Sequence, residues 1–212
     1  MTELIIVCED LFGLEVLSLI EHINQKSNEK GRGAVYKIKG YISDVDNPFG
    51  KLSCSIERLG TISGNYAFDN EKCVMAICNP QSKQRAVETL KVRGAEFQTI
   101  VTPWTNAPLL QIGEGSIISA YTIKDGIKIG KFVTIIGSML SNHVIGDYST
   151  VLRFANVAGD EVGKGTYIGN HVFVAVGKNV GDDCYVADGS IVVKNVKSGT
   201  SVSGIPAKKM KQ

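Results

Sequence analysis

Long hydrophobic runs are missing from this chain of 212 residues, and their absence is the first constraint on what it does. The stretch Leu4 to Cys8 is typical of its apolar segments, far below the roughly 18 residues that a membrane-spanning helix needs, so no membrane insertion is expected. Excess charge is also lacking. The formal net charge is +2 and no basic stripe marks one face, which argues against nucleic acid as a partner. The opening Met1-Thr2-Glu3 has neither the basic start nor the apolar core of a signal peptide, and the expected compartment is the cytoplasm. Five cysteines, Cys8, Cys54, Cys73, Cys78 and Cys184, are odd in number and lack metal-type spacing, so reduced thiols and no metal site are expected. Histidine is scarce, with His22, His143 and His171 only.

What is present is a repeat. An apolar β-branched residue followed by glycine recurs at Ile112-Gly113, Ile129-Gly130, Ile145-Gly146, Val162-Gly163 and Val180-Gly181, in steps of 17, 16, 17 and 18 residues. Within most steps a β-branched residue returns at every sixth position, as in Ile145, Val151, Val157 and again in Ile168, Val174, Val180, Val186, Val192. Six residues make one short strand and its corner, and three such units make one triangular coil. A single coil cannot bury its own inward face, whereas stacked coils share a continuous core. The second half is therefore read as an all-β parallel β-helix.

The first hundred residues alternate strand and helix. Strands are expected across Leu4 to Cys8, Val35 to Ile42, Lys72 to Cys78 and Glu96 to Val101, with helices across Leu11 to Asn24 and Gln81 to Arg93. Asn79-Pro80 opens the second helix and Gly94 stops it. Such alternation reads as a small parallel α/β domain, residues 1–102, followed by the repeat domain, residues 103–212. The boundary lies at Thr102-Pro103, where the polar stretch Trp104 to Pro108 and its prolines break both patterns. Ligands of open α/β sheets sit at the carboxyl ends of the strands, here Cys8 to Gly13, Ser43 to Asp46 and Cys78 to Pro80.

The tract Asn79-Pro80-Gln81-Ser82-Lys83-Gln84-Arg85, the segment Gly94-Ala95-Glu96-Phe97, the glycine-marked hexads and the ending Gly204-Ile205-Pro206-Ala207-Lys208 resemble the sialic acid O-acetyltransferase and bacillosamine N-acetyltransferase type of sugar acyltransferase. The resemblance spans nearly the whole chain. It implies a Rossmann-like N-terminal domain that binds a sugar or nucleotide sugar, a left-handed β-helix, a homotrimer, and acetyl-CoA as co-substrate between neighbouring helices. The implied function is acetyl transfer to a hydroxyl or amine of a sugar or sugar-linked intermediate in surface polysaccharide or glycan synthesis.

Acyl transfer needs a base, an oxyanion stabiliser and two aligned substrates. Histidine suits the base role because its ordinary pKa of about 6.5 lies near neutral pH. His22 falls in the first helix, away from the coils. His143, in Met139-Leu140-Ser141-Asn142-His143-Val144-Ile145-Gly146, lies where relatives carry the base. The family's acid directly after the histidine is absent, since Val144 follows. Counting forward from Ile129 places His143 correctly, with two residues deleted after it. Counting backward from Gly146 puts Ser141 and Asn142 in place of the histidine and acid and leaves no base. The forward count is preferred, and Asp147 or a neighbouring subunit's acid is a candidate substitute for the missing carboxylate. His171 falls where relatives carry a small polar residue near CoA, and Thr150 stands where some carry a second histidine.

For the cofactor, the resemblance points to Gly159, Asn170, Asp188 and Lys208, with Lys194 and Lys209 as further phosphate contacts. For the acceptor it points to Gly13, Asp44 and Asn79. The glycine-rich turn of the family is here Cys8-Glu9-Asp10-Leu11-Phe12-Gly13, whose two carboxylates would repel a diphosphate. Two other readings stay open: a catalytically degenerate trimeric scaffold or binding protein, and an acetyltransferase for a non-sugar acceptor such as serine.

Overall fold

The computed structural model describes residues 1–64, 66–105, 111–124 and 126–211, which fall into two compact units. Pro108, one of the two prolines read as marking the boundary, lies outside the described residues. The first unit comprises Met1–Cys78 and Ser82–Thr99; the second takes in Asn79–Gln81 and Ile100–Gln212.

In the first unit, strands β1 (Thr2–Cys8), β2 (Tyr36–Ile42), β3 (Arg58–Gly60), β4 (Lys72–Ala76) and β5 (Glu96–Phe97) form one parallel sheet in the order β3-β2-β1-β4-β5. Helices α1 (Phe12–Glu29) and α2 (Pro80–Val92) supply the crossovers from β1 to β2 and from β4 to β5. The link from β2 to β3 carries no helix; Ser43–Glu57 is irregular. The central strand β1 is fully buried from Leu4 to Cys8, as a sheet covered on both faces requires. Val16, Ile20 and Ile23 of α1 recur at helical spacing, and all three are buried. Asn24 fastens the helix to the sheet edge: its Nδ2 donates to the Tyr36 carbonyl at 2.7 Å, and its Oδ1 accepts from the amides of Val35 and Tyr36 at 3.0 and 2.9 Å.

Glu96 to Val101, expected as one strand, is divided. Gln98 N–H donates to the Cys73 carbonyl at 2.9 Å and completes the α/β sheet, whereas Ile100 N–H donates to Ser116 at 2.8 Å and opens the second unit. Ile100–Val101 pairs with Ile117–Ile118 instead.

The second unit is a parallel β-solenoid with three ladders. Ile129, Ile145, Val162 and Val180 stack in one, and Ile135, Val151, Ile168 and Val186 in another. Leu140, Val157, Val174 and Val192 stack in the third. All of these side chains belong to a single buried cluster. Each faces the axis, so the six-residue recurrence is the recurrence of the core. Corner residues adopt left-handed backbone without being glycine at Phe132, Tyr148, Phe154, His171 and Asp183, with φ between 52 and 63°.

Candidate functional site

The coil that carries His143 is shortened at two corners. Ile135 to Leu140 and Leu140 to Ile145 are each five residues, where the steps from Val162 to Val192 are six. The forward count placed both missing residues after His143; the structure places one on each side of Leu140. Asn142 turns into the compressed corner and is fully buried. Its Nδ2 donates to the Val144 carbonyl at 2.8 Å, while its Oδ1 has no partner. His143, the next residue, is exposed. Its backbone is fixed on both sides: the amide donates to the Asp160 carbonyl at 2.8 Å, and the carbonyl accepts from Lys128 at 2.9 Å. An inward Asn142 and an outward His143 are two halves of one turn, and the burial of the first was not foreseen from the sequence.

Three aspartates elsewhere on the solenoid hold corners together. Asp147 Oδ1 accepts from the Lys131 amide at 2.7 Å, and Asp182 Oδ1 from the Lys164 amide at 2.9 Å. Asp188 does this twice, taking the Asn170 amide at 2.8 Å and the Asn170 Nδ2 at 3.1 Å. Asp147, a candidate partner for His143, is thus bound to the coil before its own. Asn170 and Asp188, expected at the cofactor, are brought together as a corner pair. Gly159 is buried, and a Cβ there would overlap the Lys178 carbonyl oxygen, so its lack of a side chain is required by the coil beneath it.

His171 is exposed at a left-handed corner with φ 55°, its ring stacked on Phe154 with centroids 4.9 Å apart. Phe154 in turn stacks on Tyr121 at 6.1 Å. Thr150 is buried. In the last coil, Lys194, Lys197 and Lys209 line a cleft of about 450 Å³ together with Asn195 and Thr200. Lys208 is exposed in a short antiparallel strand, opposite Ser203, and is not part of the cleft wall. The cleft offers three cationic groups and no carboxylate, the electrostatics an anionic group needs.

The expected acceptor residues have distinct surroundings. Gly13 is buried in the first turn of α1, where a Cβ would lie 2.7 Å from the Cys8 Cβ and 3.0 Å from the Phe49 ring. Asp44 is exposed, and its Oδ1 accepts from the Ser63 amide at 3.1 Å and the Ser63 hydroxyl at 3.2 Å. Asn79 is exposed beyond the end of β4. Asp10 Oδ1 accepts from the Phe12 amide two residues on at 2.9 Å, an Asx turn just ahead of α1.

The surroundings of two groups were not foreseen. Burial pushes the Glu9 carboxyl up, against a hydrogen bond from Ser82 and the nearby Arg85 charge, so Glu9 is engaged with α2. Lys83, in the same helix, is wholly buried, and desolvation lowers its pKa to about 7; the neighbouring Cys78 opposes that shift. No local pattern marked Lys83, because a lysine in the first turn of a helix is ordinarily solvated. Among the described residues no group of three or more His, Cys, Asp or Glu is placed to hold a metal ion.

No protein-family model matches the chain. The acetyltransferase domain of PglB from Neisseria gonorrhoeae, solved in complex with acetyl coenzyme A, is similar in fold with a TM-score of 0.77, 16% identity and 98% of each chain covered. A variant of perosamine N-acetyltransferase from Caulobacter crescentus, solved with CoA and GDP-perosamine, follows with a TM-score of 0.68, 14% identity, and 100% of this chain and 98% of that one. In sequence, the serine acetyltransferase of Buchnera aphidicola subsp. Acyrthosiphon pisum (strain APS) is 33% identical over 105 residues. That match takes in 50% of this chain and only 37% of the enzyme's length. The structural likenesses establish the fold: an α/β unit and a parallel β-solenoid, in the architecture of solved sugar acetyltransferases.

Proposed function

We propose that the protein is an acetyl-CoA-dependent acetyltransferase acting on a hydroxyl or amine of a sugar or sugar-linked intermediate, with His143 as its general base. The observation that carries this reading is the outward imidazole of His143 at a solenoid corner, in a chain matched end to end by the fold of sugar acetyltransferases. His143 takes the acceptor's proton as the nucleophile attacks the thioester carbonyl. The tetrahedral intermediate then collapses, the carbon–sulfur bond breaks, and the imidazolium returns the proton to the CoA sulfur.

In this reading residues 1–102 form a Rossmann-like acceptor domain around Gly13, Asp44 and Asn79, and residues 103–212 a left-handed β-helix acyltransferase domain. The cofactor lies along the corners that carry Gly159, Asn170 and Asp188, with the terminal lysines, Lys208 among them, toward its phosphates. A homotrimer completes the site, and surface polysaccharide synthesis is the setting. The ligands bound in the two solved structures support acetyl-CoA as donor and a nucleotide-linked sugar as acceptor. Glu9 and Asp10 disfavour a diphosphate at the first turn, which favours an acceptor whose phosphates lie elsewhere or are absent.

Thermal denaturation tests the donor. A ligand at a hundred times its dissociation constant stabilises the fold by about 2.7 kcal/mol, so acetyl-CoA is expected to raise the midpoint clearly. No shift at saturating acetyl-CoA would instead leave the degenerate scaffold as the better account.

A further inference from the structure

The acid missing after His143 has a counterpart one coil further on. The corner Ser141–Asn142–His143 and the corner Ala158–Gly159–Asp160 are equally short, each spanning five residues between core positions Leu140 and Ile145, and Val157 and Val162. Their backbones are in register at both ends: Ser141 N–H donates to the Val157 carbonyl at 3.0 Å, and His143 N–H donates to the Asp160 carbonyl at 2.8 Å. Residues 143 and 160 therefore occupy the same corner position on successive rungs, roughly 4.8 Å apart as adjacent parallel strands are. Both are exposed.

Asp160 differs from the three aspartates that hold corners. Asp147, Asp182 and Asp188 are each held by an amide of the preceding coil, whereas among the described residues the Asp160 carboxylate makes no hydrogen bond or ion pair. Among the same residues the His143 ring has no partner either. Lys178 follows on the next rung, its carbonyl accepting from the Asp160 amide at 3.1 Å, and Lys128 and Glu161 flank Val144 in the ladder beside the corner.

We propose that Asp160 is the positioning residue for His143: its carboxylate accepts one ring N–H and leaves the other nitrogen bare to receive the acceptor's proton. The family's adjacent acid is thus replaced by an acid that the solenoid rung, rather than the chain, brings alongside. The proposal rests on His143 being the base. A carboxylate in this place fixes the imidazole tautomer and steadies the imidazolium that forms.

The test uses Asp160→Asn and Asp160→Glu in the full chain, read by ¹⁵N shifts of the His143 ring and by steady-state transfer. With three histidines in the protein the ring signals are assignable. The wild type and Asp160→Glu are expected to hold one neutral tautomer, and Asp160→Asn a mixture; kcat in Asp160→Asn falls by about 10-fold with KM for acetyl-CoA unchanged. Identical ring shifts in Asp160→Asn, or an unchanged kcat, overturn the assignment. His143→Ala separates the two readings: if it transfers acetyl as fast as wild type the base itself is wrong, and if it is inactive while Asp160→Asn is normal only Asp160 is wrong.

Discussion

Three side chains in the α/β unit and at the corners have consequences measurable one at a time. Glu71 is buried and paired with Lys39; its Oε1 accepts from the Tyr66 hydroxyl at 3.0 Å and its Oε2 from the Asp69 amide at 2.9 Å. The Lys39 hydrogen bond chiefly holds its pKa down to about 2. A depressed carboxyl stabilises the fold above the unfolded value of about 4.3, and the stabilisation is lost as pH falls toward 2. Glu71→Gln is expected to lower the urea midpoint at pH 7 and to flatten the loss between pH 4 and 2. Lys83 is also depressed, but there the shift is a cost to the fold and not a gain. Its folded pKa of about 7 lies below the unfolded value of about 10.4, so the unfolded chain binds more protons between them and stability rises with pH across that window. Burial pushes Cys8 and Cys73 up to about 12, and these thiols counter the rise once pH passes about 8.5. The difference between wild type and Lys83→Met isolates the lysine: the variant is expected to be the more stable at pH 7, by a margin that shrinks toward pH 9. For the corner pair, Asp188→Ala is expected to cost about 1 kcal/mol, because Asn170 loses an acceptor for both its amide and its side chain.

At the scale of the element, what the sequence makes legible is what repeats in it. The solenoid was readable because one β-branched residue per strand faces the axis, as Val151, Ile168 and Val186 do, and burial leaves the same mark on each coil. Ile168→Ala is expected to destabilise by about 2–5 kcal/mol, measured by chemical denaturation, since it opens a cavity in a stack with no slack on either side. Corners were less legible. Asp188 was expected at the cofactor, and its pairing with Asn170, 18 residues away in sequence and one rung away in space, is a relation no local motif reveals. The inward turn of Asn142 escaped notice for the converse reason: a polar residue in a loop gives no hint that it is buried. Strand β3 was missed because Arg58–Gly60 is too short and too polar for an alternating pattern. The split of Glu96 to Val101 follows from two competing ladders, Cys73 on one side and Ser116 on the other, and only the fold decides between them.

For the whole molecule, the fold joins two units with separate tasks in the proposed reaction, and the solenoid corners are where chemistry is gained or lost. Light scattering is expected to report three copies of a 22.8 kDa chain, since the proposed cofactor groove lies between neighbouring helices; a monomer contradicts that part of the account. The central claim is that an imidazole turned outward at a shortened corner removes the acceptor's proton. Its most direct test is CoA release with acetyl-CoA and a panel of amino sugars, free and nucleotide-linked, catalysed by wild type and by His143→Ala. The account predicts transfer by the wild type to at least one acceptor and a loss of kcat of at least about 10²-fold in the variant. Equal turnover by the two proteins would contradict it.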